Sequence, residues 1–260
     1  AANGLQAAGP DAAHYALPKP PDFEDRTLAL DGLELLWAAL CRDVPFTRYV
    51  TDPVIAQAAD ELTGMGLKAF PCLLDVTDEG SIASAVKLLE AKFGRLDILI
   101  NNAAIRIESY GLNPSQQPLQ QWRQTFETNL FGMVAVTQHC LPLIRQSAAG
   151  RIVNVSSLLA SLTTHTDVDS YAYSPMFKSL PGYSASKSGV NSWTVHLAYE
   201  LRDTPVKVNA VHPGYTKTGM NDGAGDLDVQ EGARTSVALA LIGADGPTGT
   251  YRHQDRVIPW

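Results

Sequence analysis

Apolar residues follow two rhythms along this chain. Leu96-Asp97-Ile98-Leu99-Ile100 and Ile152-Val153-Asn154-Val155 are compact runs rich in branched side chains, too short for helices. They predict strands buried on both faces of a parallel sheet. Val206-Lys207-Val208 predicts another. Lys68 to Leu74 also predicts a strand, at an edge because Pro71 cannot donate to a ladder. Between these runs Trp122, Phe126, Leu130, Met133, Thr137 and Leu141 recur at helical spacing, with Asn129 one position off the stripe. Val190, Thr194, Leu197 and Leu201 form a second helical stripe. Strands alternating with helices predict an α/β fold with helices flanking a parallel sheet.

The first sixty residues read differently. Pro10, Pro18, Pro20 and Pro21 punctuate a stretch that predicts irregular coil. Leu30, Leu33, Leu36, Trp37 and Leu40 predict an amphipathic helix, and Thr51-Asp52-Pro53 a helix start leading from Val54 to Leu62. Gly64 suits the position just past that helix, where a left-handed backbone is needed. Residues 1–60 hold four basic and nine acidic residues, against sixteen and eighteen in residues 61–260. The expected organisation is a coil-plus-helix head over 1–60 and an α/β domain over 61–260.

At 260 residues the chain has room for one large domain, alone or with an appendage. Twenty Lys and Arg against 27 Asp and Glu leave a net charge of −7, and without a basic stripe no nucleic-acid partner is expected. Cys41, Cys72 and Cys140 are odd in number and unpaired in spacing, so no disulfide framework is expected. No apolar run reaches the ~18 residues of a membrane span. No basic-then-apolar secretory start is present either, so no membrane association and a cytoplasmic location are expected. The missing initiator Met suggests a fragment or a processed start. The histidines at 14, 139, 165, 196, 212 and 253 lack ligand spacing, so no metal site is expected.

Tyr183 and Lys187 are four apart at the head of the second stripe. On a helix they share a face about one turn, ~5.4 Å, apart. That spacing predicts an ammonium drawing the phenol below its ordinary pKa of ~10, toward proton exchange near neutral pH. Ser157 ends the Ile152–Val155 run, at the carboxyl end of a strand where open α/β sheets hold ligands.

With these residues in order, the chain from about 61 to 260 resembles the short-chain dehydrogenase/reductase family, in its carbonyl-reductase-like branch. The family's Asn-Asn-Ala-Gly appears as Asn101-Asn102-Ala103-Ala104, with Ala in place of Gly. The closing Gly246-Pro247-Thr248-Gly249 to Pro259-Trp260 is similar to bacterial members of that branch. The resemblance implies that Tyr183 is the general acid/base and that Lys187 lowers its pKa and holds the nicotinamide ribose. It implies that Ser157 orients a substrate carbonyl and that Asn129 fixes a water in a proton relay. Asp75, Val76, Asn102, Ala103, Ala104, Pro213, Gly214 and Thr218 would line the cofactor with Tyr183 and Lys187. The cofactor would be NAD or NADP, the branch leaning to NADP. The partner would be a small carbonyl or alcohol substrate, and self-association as a homo-oligomer is open.

The head departs from the family, which there carries a first strand, a Gly-rich phosphate turn and a helix that holds the pyrophosphate. Only Gly4, Gly9 and Gly32 occur, and Thr63-Gly64-Met65-Gly66 lacks the spacing. Gly32 to Leu62 resembles a piece of vanadium-haloperoxidase-like helical proteins without their Lys, Arg and His cluster. The chain thus reads as a chimera, a Rossmann-like sheet lacking its first βαβ unit. With that unit gone, the Lys68–Leu74 strand would slide to pair with Leu96–Asn101 or leave the latter an exposed edge. Three functions stay open: an NAD(P)-dependent oxidoreductase impaired in cofactor binding, a non-catalytic remnant used as a scaffold, and a fused frame with no selected function. Leu158–Gly182 and Gly219–Asp228 are either substrate wall and lid or simply long surface loops.

Overall fold

A computed structural model describes residues 59–66 and 68–260, together with the backbone of Leu35–Trp37. Three strands form the centre of the sheet: β2 (Ile98–Asn101), β3 (Arg151–Val155) and β4 (Lys207–Val211). They pair in parallel, with Ile98 opposite Arg151 and Arg151 opposite Lys207. Their residues are almost all buried, as expected of strands covered on both faces. β5 (Tyr251–His253) adds in parallel to β4, and β6 (Arg256–Val257) turns back antiparallel on β5. The closing segment then stacks Trp260 on Tyr251, ring centroids 5.7 Å apart.

Helices cover both faces. α1 spans 59–64, α2 Glu79–Phe93, α3 Leu119–Phe126, α4 Met133–Ile144, α7 Pro181–Glu200 and α8 Val229–Ala240. Two short helices, α5 (Leu162–Thr166) and α6 (Pro175–Lys178), lie between β3 and α7. Alternation along the strands divides the core. Leu99, Ile152 and Val208 pack with Ile82, Val136, Ile144 and Leu197 on one face. Ile98, Ile100, Val153 and Val211 pack with Leu239 and Ala240 on the other. The stripe Val190, Thr194, Leu197 and Leu201 is buried as the spacing predicts. Among the described residues no helix is long and apolar enough to cross a membrane.

The structure corrects four expectations. Leu35–Trp37, read as part of an amphipathic helix, is a strand, β1, paired in parallel with β2 at Leu35↔Ile98 and Trp37↔Ile100. A run such as Leu35-Leu36-Trp37-Ala38-Ala39-Leu40 satisfies a helical stripe and a buried strand equally, and the open edge of β2 supplies the ladder that decides. Lys68 to Leu74 is not a strand at all. It reaches the turn at Asp75–Thr77 without entering the sheet, because β1 already holds the edge of β2. The helix 59–64 runs through Gly64, and the left-handed residue is Gly66 (φ 84°), whose N–H bonds Thr63 O at 2.9 Å. The helix ends two residues later than a Gly64 cap requires, and its expected start at Thr51-Asp52-Pro53 lies outside the described residues, as do the coil and most of the head.

The fourth correction concerns the stripe from Trp122 to Leu141. It is interrupted by a π-helical turn, Glu127–Gly132, between α3 and α4. The extra residue in that turn rotates the face, so Thr125 and Asn129 are buried in place of Trp122 and Phe126. Gly132 closes the turn against the Val76 backbone, where an added Cβ would lie 2.6 Å from Val76 O. Gly132→Ala is therefore expected to destabilise the fold by about 1–3 kcal/mol, the usual cost of overpacking, as measured by urea unfolding. A change below about 0.5 kcal/mol, the scale of ordinary surface substitutions, would show that the Val76 segment yields freely.

Candidate active site

The carboxyl ends of β2, β3 and β4 gather the candidate residues. Ser157 lies two residues past the end of β3 and caps a 3₁₀ turn, its hydroxyl accepting from Leu159 N at 3.3 Å. Its side chain stands beside the Tyr183 phenol and acts to lower the phenol's pKa. Tyr183 and Lys187 are buried in the first turns of the 20-residue helix α7. The Lys187 ammonium donates to Val155 O at 2.7 Å, which ties it to the end of β3, and stands 6.0 Å from the Tyr183 ring centroid. Asn129 is buried in the π turn. Its Oδ1 accepts from Ile105 N (2.7 Å) and its Nδ2 donates to Ile105 O (2.9 Å) and to Ser186 Oγ (3.1 Å). Ser186 Oγ in turn donates to Tyr183 O at 2.7 Å. One side chain thus joins the loop after β2 to the helix carrying Tyr183.

The electrostatics differ from the sequence expectation. The Tyr183 phenol lies above its ordinary pKa, not below it, chiefly because burial strips its hydration. The Ser157 side chain and the Arg106 charge oppose this, and Tyr110 and Glu108 add to it. Lys187 pays the same desolvation and falls to about 8. Its ammonium is spent on a backbone carbonyl, so a four-residue spacing on a helix did not by itself produce an activated phenol. Between pH 8 and 10.5 the unfolded chain then holds a proton at Lys187 that the native chain lacks, so this group makes stability rise with pH across that window. Lys187→Met is accordingly expected to gain on the wild type below pH 8 and to lose that gain by pH 10.5, as read from paired unfolding midpoints. A constant difference would mean that the buried amine titrates normally.

The other candidates fall into two groups. Asp75 closes a turn, Oδ1 accepting from Thr77 N (2.8 Å) and Thr77 Oγ1 (2.7 Å). Val76, Asn101, Asn102 and Ala103 line a small open cleft with Leu74 and Thr128, beside the end of β2. Ala104 continues from it, partly exposed. Asn101 itself is structural, its Nδ2 donating to Thr137 Oγ1 (2.9 Å) and Asn154 Oδ1 (2.8 Å). Pro213, Gly214 and Thr218 lie on the loop after β4. Gly214 has a φ of 88°, and a Cβ there would lie 2.4 Å from Leu227. Thr218 N and Oγ1 both donate to Asn221 Oδ1, at 3.0 and 3.2 Å.

Several groups escaped sequence reading. Leu158 N donates to His212 Nδ1 at 3.1 Å, so the neutral imidazole carries its proton on Nε2 and donates to Tyr171 Oη at 3.1 Å. Burial and the neighbouring His253 push His212 down to about 3. Arg106 bonds Met220 O in the loop after β4, with Nε at 3.1 Å and Nη2 closer, and lies over the Tyr110 ring at 4.5 Å. Glu108 is buried against the start of α7. The one legible trace of it is that Leu180-Pro181-Gly182 opens a helix without a capping side chain.

A six-stranded, mainly parallel sheet with Ser, Tyr and Lys meeting at its carboxyl edge defines a Rossmann-like oxidoreductase fold. The short chain dehydrogenase family model matches residues 49–227, and the chain belongs to that family. It is 37% identical over 176 residues to Short-chain dehydrogenase anuI of Penicillium roqueforti, covering 67% of this chain and 68% of the relative. To Short-chain dehydrogenase/reductase ATR10 of Stachybotrys chlorohalonatus it is 33% identical over 208 residues, 72% of each. Among solved structures it is similar to salutaridine reductase from Papaver somniferum (TM-score 0.65, 25% identity, 77% of this chain and 88% of that one). The NADPH-bound carbonyl reductase from chicken fatty liver superposes with a TM-score of 0.67 at 22% identity, over 81% and 84% of the two chains, a likeness of fold.

Proposed function

We propose that this chain is a nicotinamide-dependent reductase of carbonyl compounds, running in reverse on secondary alcohols. The observation that carries the reading is the Ser157 side chain set beside the Tyr183 phenol just past the end of β3, with Lys187 anchored to the same strand. Two hydroxyls side by side can hold one carbonyl oxygen, and Tyr183 is the group whose proton that oxygen receives as it becomes an alkoxide. Ser157 orients the oxygen, and Lys187 keeps the phenol side of the site positive. Asn129 secures the Ile105 loop that borders them.

The described residues offer groups for both ends of a dinucleotide. The cleft beside Val76, Asn102 and Ala103, with Asp75 next to it, is the end assigned to the adenine. Lys187 has two donors beyond its bond to Val155 O, suited to ribose hydroxyls. When bound, the coenzyme supplies the hydride. Similarity to a carbonyl reductase solved with NADPH and a gluconate 5-dehydrogenase solved with NADP supports NADP over NAD. The pyrophosphate is the weak point, since no glycine occurs between residues 33 and 63.

The substrate wall supports flat, apolar carbonyl compounds. Tyr171, Phe177 and Tyr215 pack at centroid distances of 5.4 to 6.4 Å, and Phe177 and Met220 rest on the cluster that contains Tyr183. Leu158–Gly182 supplies Tyr171 and Phe177, and Gly219–Asp228 supplies Met220. The test is NADPH oxidation with a panel of aromatic and short aliphatic ketones at millimolar coenzyme. Turnover of the aromatic set is expected, and none with any carbonyl would favour the non-catalytic scaffold, which the glycine-free stretch supports.

A further inference from the structure

α7 begins without a cap of its own. Its N-cap, Leu180, has no side-chain acceptor, and Pro181 at the first position has no N–H to satisfy. The next two donors, Gly182 N and Tyr183 N, would be orphans at a buried helix end. A residue far upstream in sequence takes both. Glu108 Oε1 accepts from Gly182 N at 2.6 Å and Oε2 from Tyr183 N at 2.8 Å, with the residue 4% exposed. Gly182 permits this approach, because a Cβ there would stand 3.0 Å from Glu108 Oε1 and 3.2 Å from the Trp122 ring. One carboxylate therefore fixes the main chain of the very residue whose phenol faces Ser157, at the end of a helix whose dipole favours a negative charge.

We propose that Glu108 is a positioning residue for the reaction: it locks the Tyr183 backbone through two charge-assisted hydrogen bonds and sets a fixed negative charge behind the phenol. This rests on the reading of Tyr183 as the proton donor. The assignment explains an otherwise costly group, since burying a carboxylate is tolerated where strong donors meet it. Burial raises the Glu108 pKa, and the Tyr183 and Gly182 amides and Arg106 counter that. The charged and titratable groups facing Tyr183 are then Glu108, Arg106, Tyr110 and Tyr171 around the ring, with Ser157 at its hydroxyl and Lys187 one turn along α7. Glu108 and Tyr110 hold the phenol up, keeping it protonated and ready to donate.

The test uses the full chain with Glu108→Gln and Glu108→Ala. Amide hydrogen exchange at Gly182 and Tyr183 is expected to quicken on the order of ten- to a hundredfold in Glu108→Ala, the loss of a charge-assisted bond at each, with mid-helix amides of α7 unchanged. The phenol step assigned to Tyr183, by ultraviolet titration against Tyr183→Phe, is expected to move to lower pH in both variants. In Glu108→Gln, which keeps one acceptor, exchange is expected to quicken at one amide only, so the proposal is readable even where the alanine variant does not fold. Unchanged exchange and an unchanged phenol step in folded variants would overturn it. Neither readout needs turnover, so a chain that oxidises no NADPH would sink the reductase reading while leaving the positioning role to be decided by exchange and titration.

Discussion

Tyr183→Phe is expected to abolish carbonyl reduction while leaving the fold in place. The substitution removes one oxygen from a ring that is otherwise buried against Leu159, Ala172 and Leu180. Its packing is retained, so the expected cost in stability is at most about 1 kcal/mol, the scale of a single polar contact. For the reaction the loss is much larger, because Tyr183 is the hydroxyl set beside the Ser157 side chain to give up a proton to the same oxygen. General acid catalysis of this kind contributes on the order of 10² to 10⁴ in rate. The comparison is made on purified protein at millimolar coenzyme, with thermal unfolding as the control for folding. Turnover within about threefold of the wild type, far inside the range general acid catalysis spans, would show that another group donates the proton.

Coenzyme affinity is expected to be poor, and this is the second large effect. A complete dinucleotide fold meets the pyrophosphate with several backbone N–H groups and a helix terminus, and each charge-assisted bond is worth ~1.5–3 kcal/mol. Here β1 at Leu35–Trp37 takes the place beside β2 that the family's first strand holds, yet Ala38, Ala39, Leu40, Cys41 and Arg42 follow it where a glycine turn belongs. None of those five residues is the glycine that lets a turn close on a phosphate. Losing two such bonds costs ~3–6 kcal/mol, a hundredfold to ten-thousandfold in affinity. A micromolar site becomes a millimolar one. Calorimetric titration with NADPH and with NADH measures it, and a dissociation constant under about 10 μM, within the usual range for enzyme ligands, would prove that the head carries its own phosphate cradle.

Much of the site was legible because the chemistry is written in local spacing. Tyr183 and Lys187 on one helical face, Ser157 at a strand end and Asn129 beside a stripe need only secondary-structure period and order to be brought near one another. Glu108, His212, Tyr171 and Arg106 were not legible, because each acts across 40 residues or more through backbone groups or rings that no spacing encodes. The phenol's electrostatics were misread for a related reason. Spacing reports which charges are near, whereas burial decides how much either charge costs, and here desolvation of both Tyr183 and Lys187 outweighs their proximity.

The sequence by itself determined the central strands, their burial on two faces and the helical stripes of α7, since a near-continuous apolar run bounded by turns and a 3.6-residue period have few other solutions. It also determined the family, through motifs whose order carries the information. Only the tertiary structure decided that Leu35–Trp37 is a strand, that Lys68–Leu74 is not, and that a π turn buries Asn129. Each is a choice between conformations the local sequence allows almost equally. An unpaired edge on β2 and the Val76 backbone against Gly132 are what tip the balance.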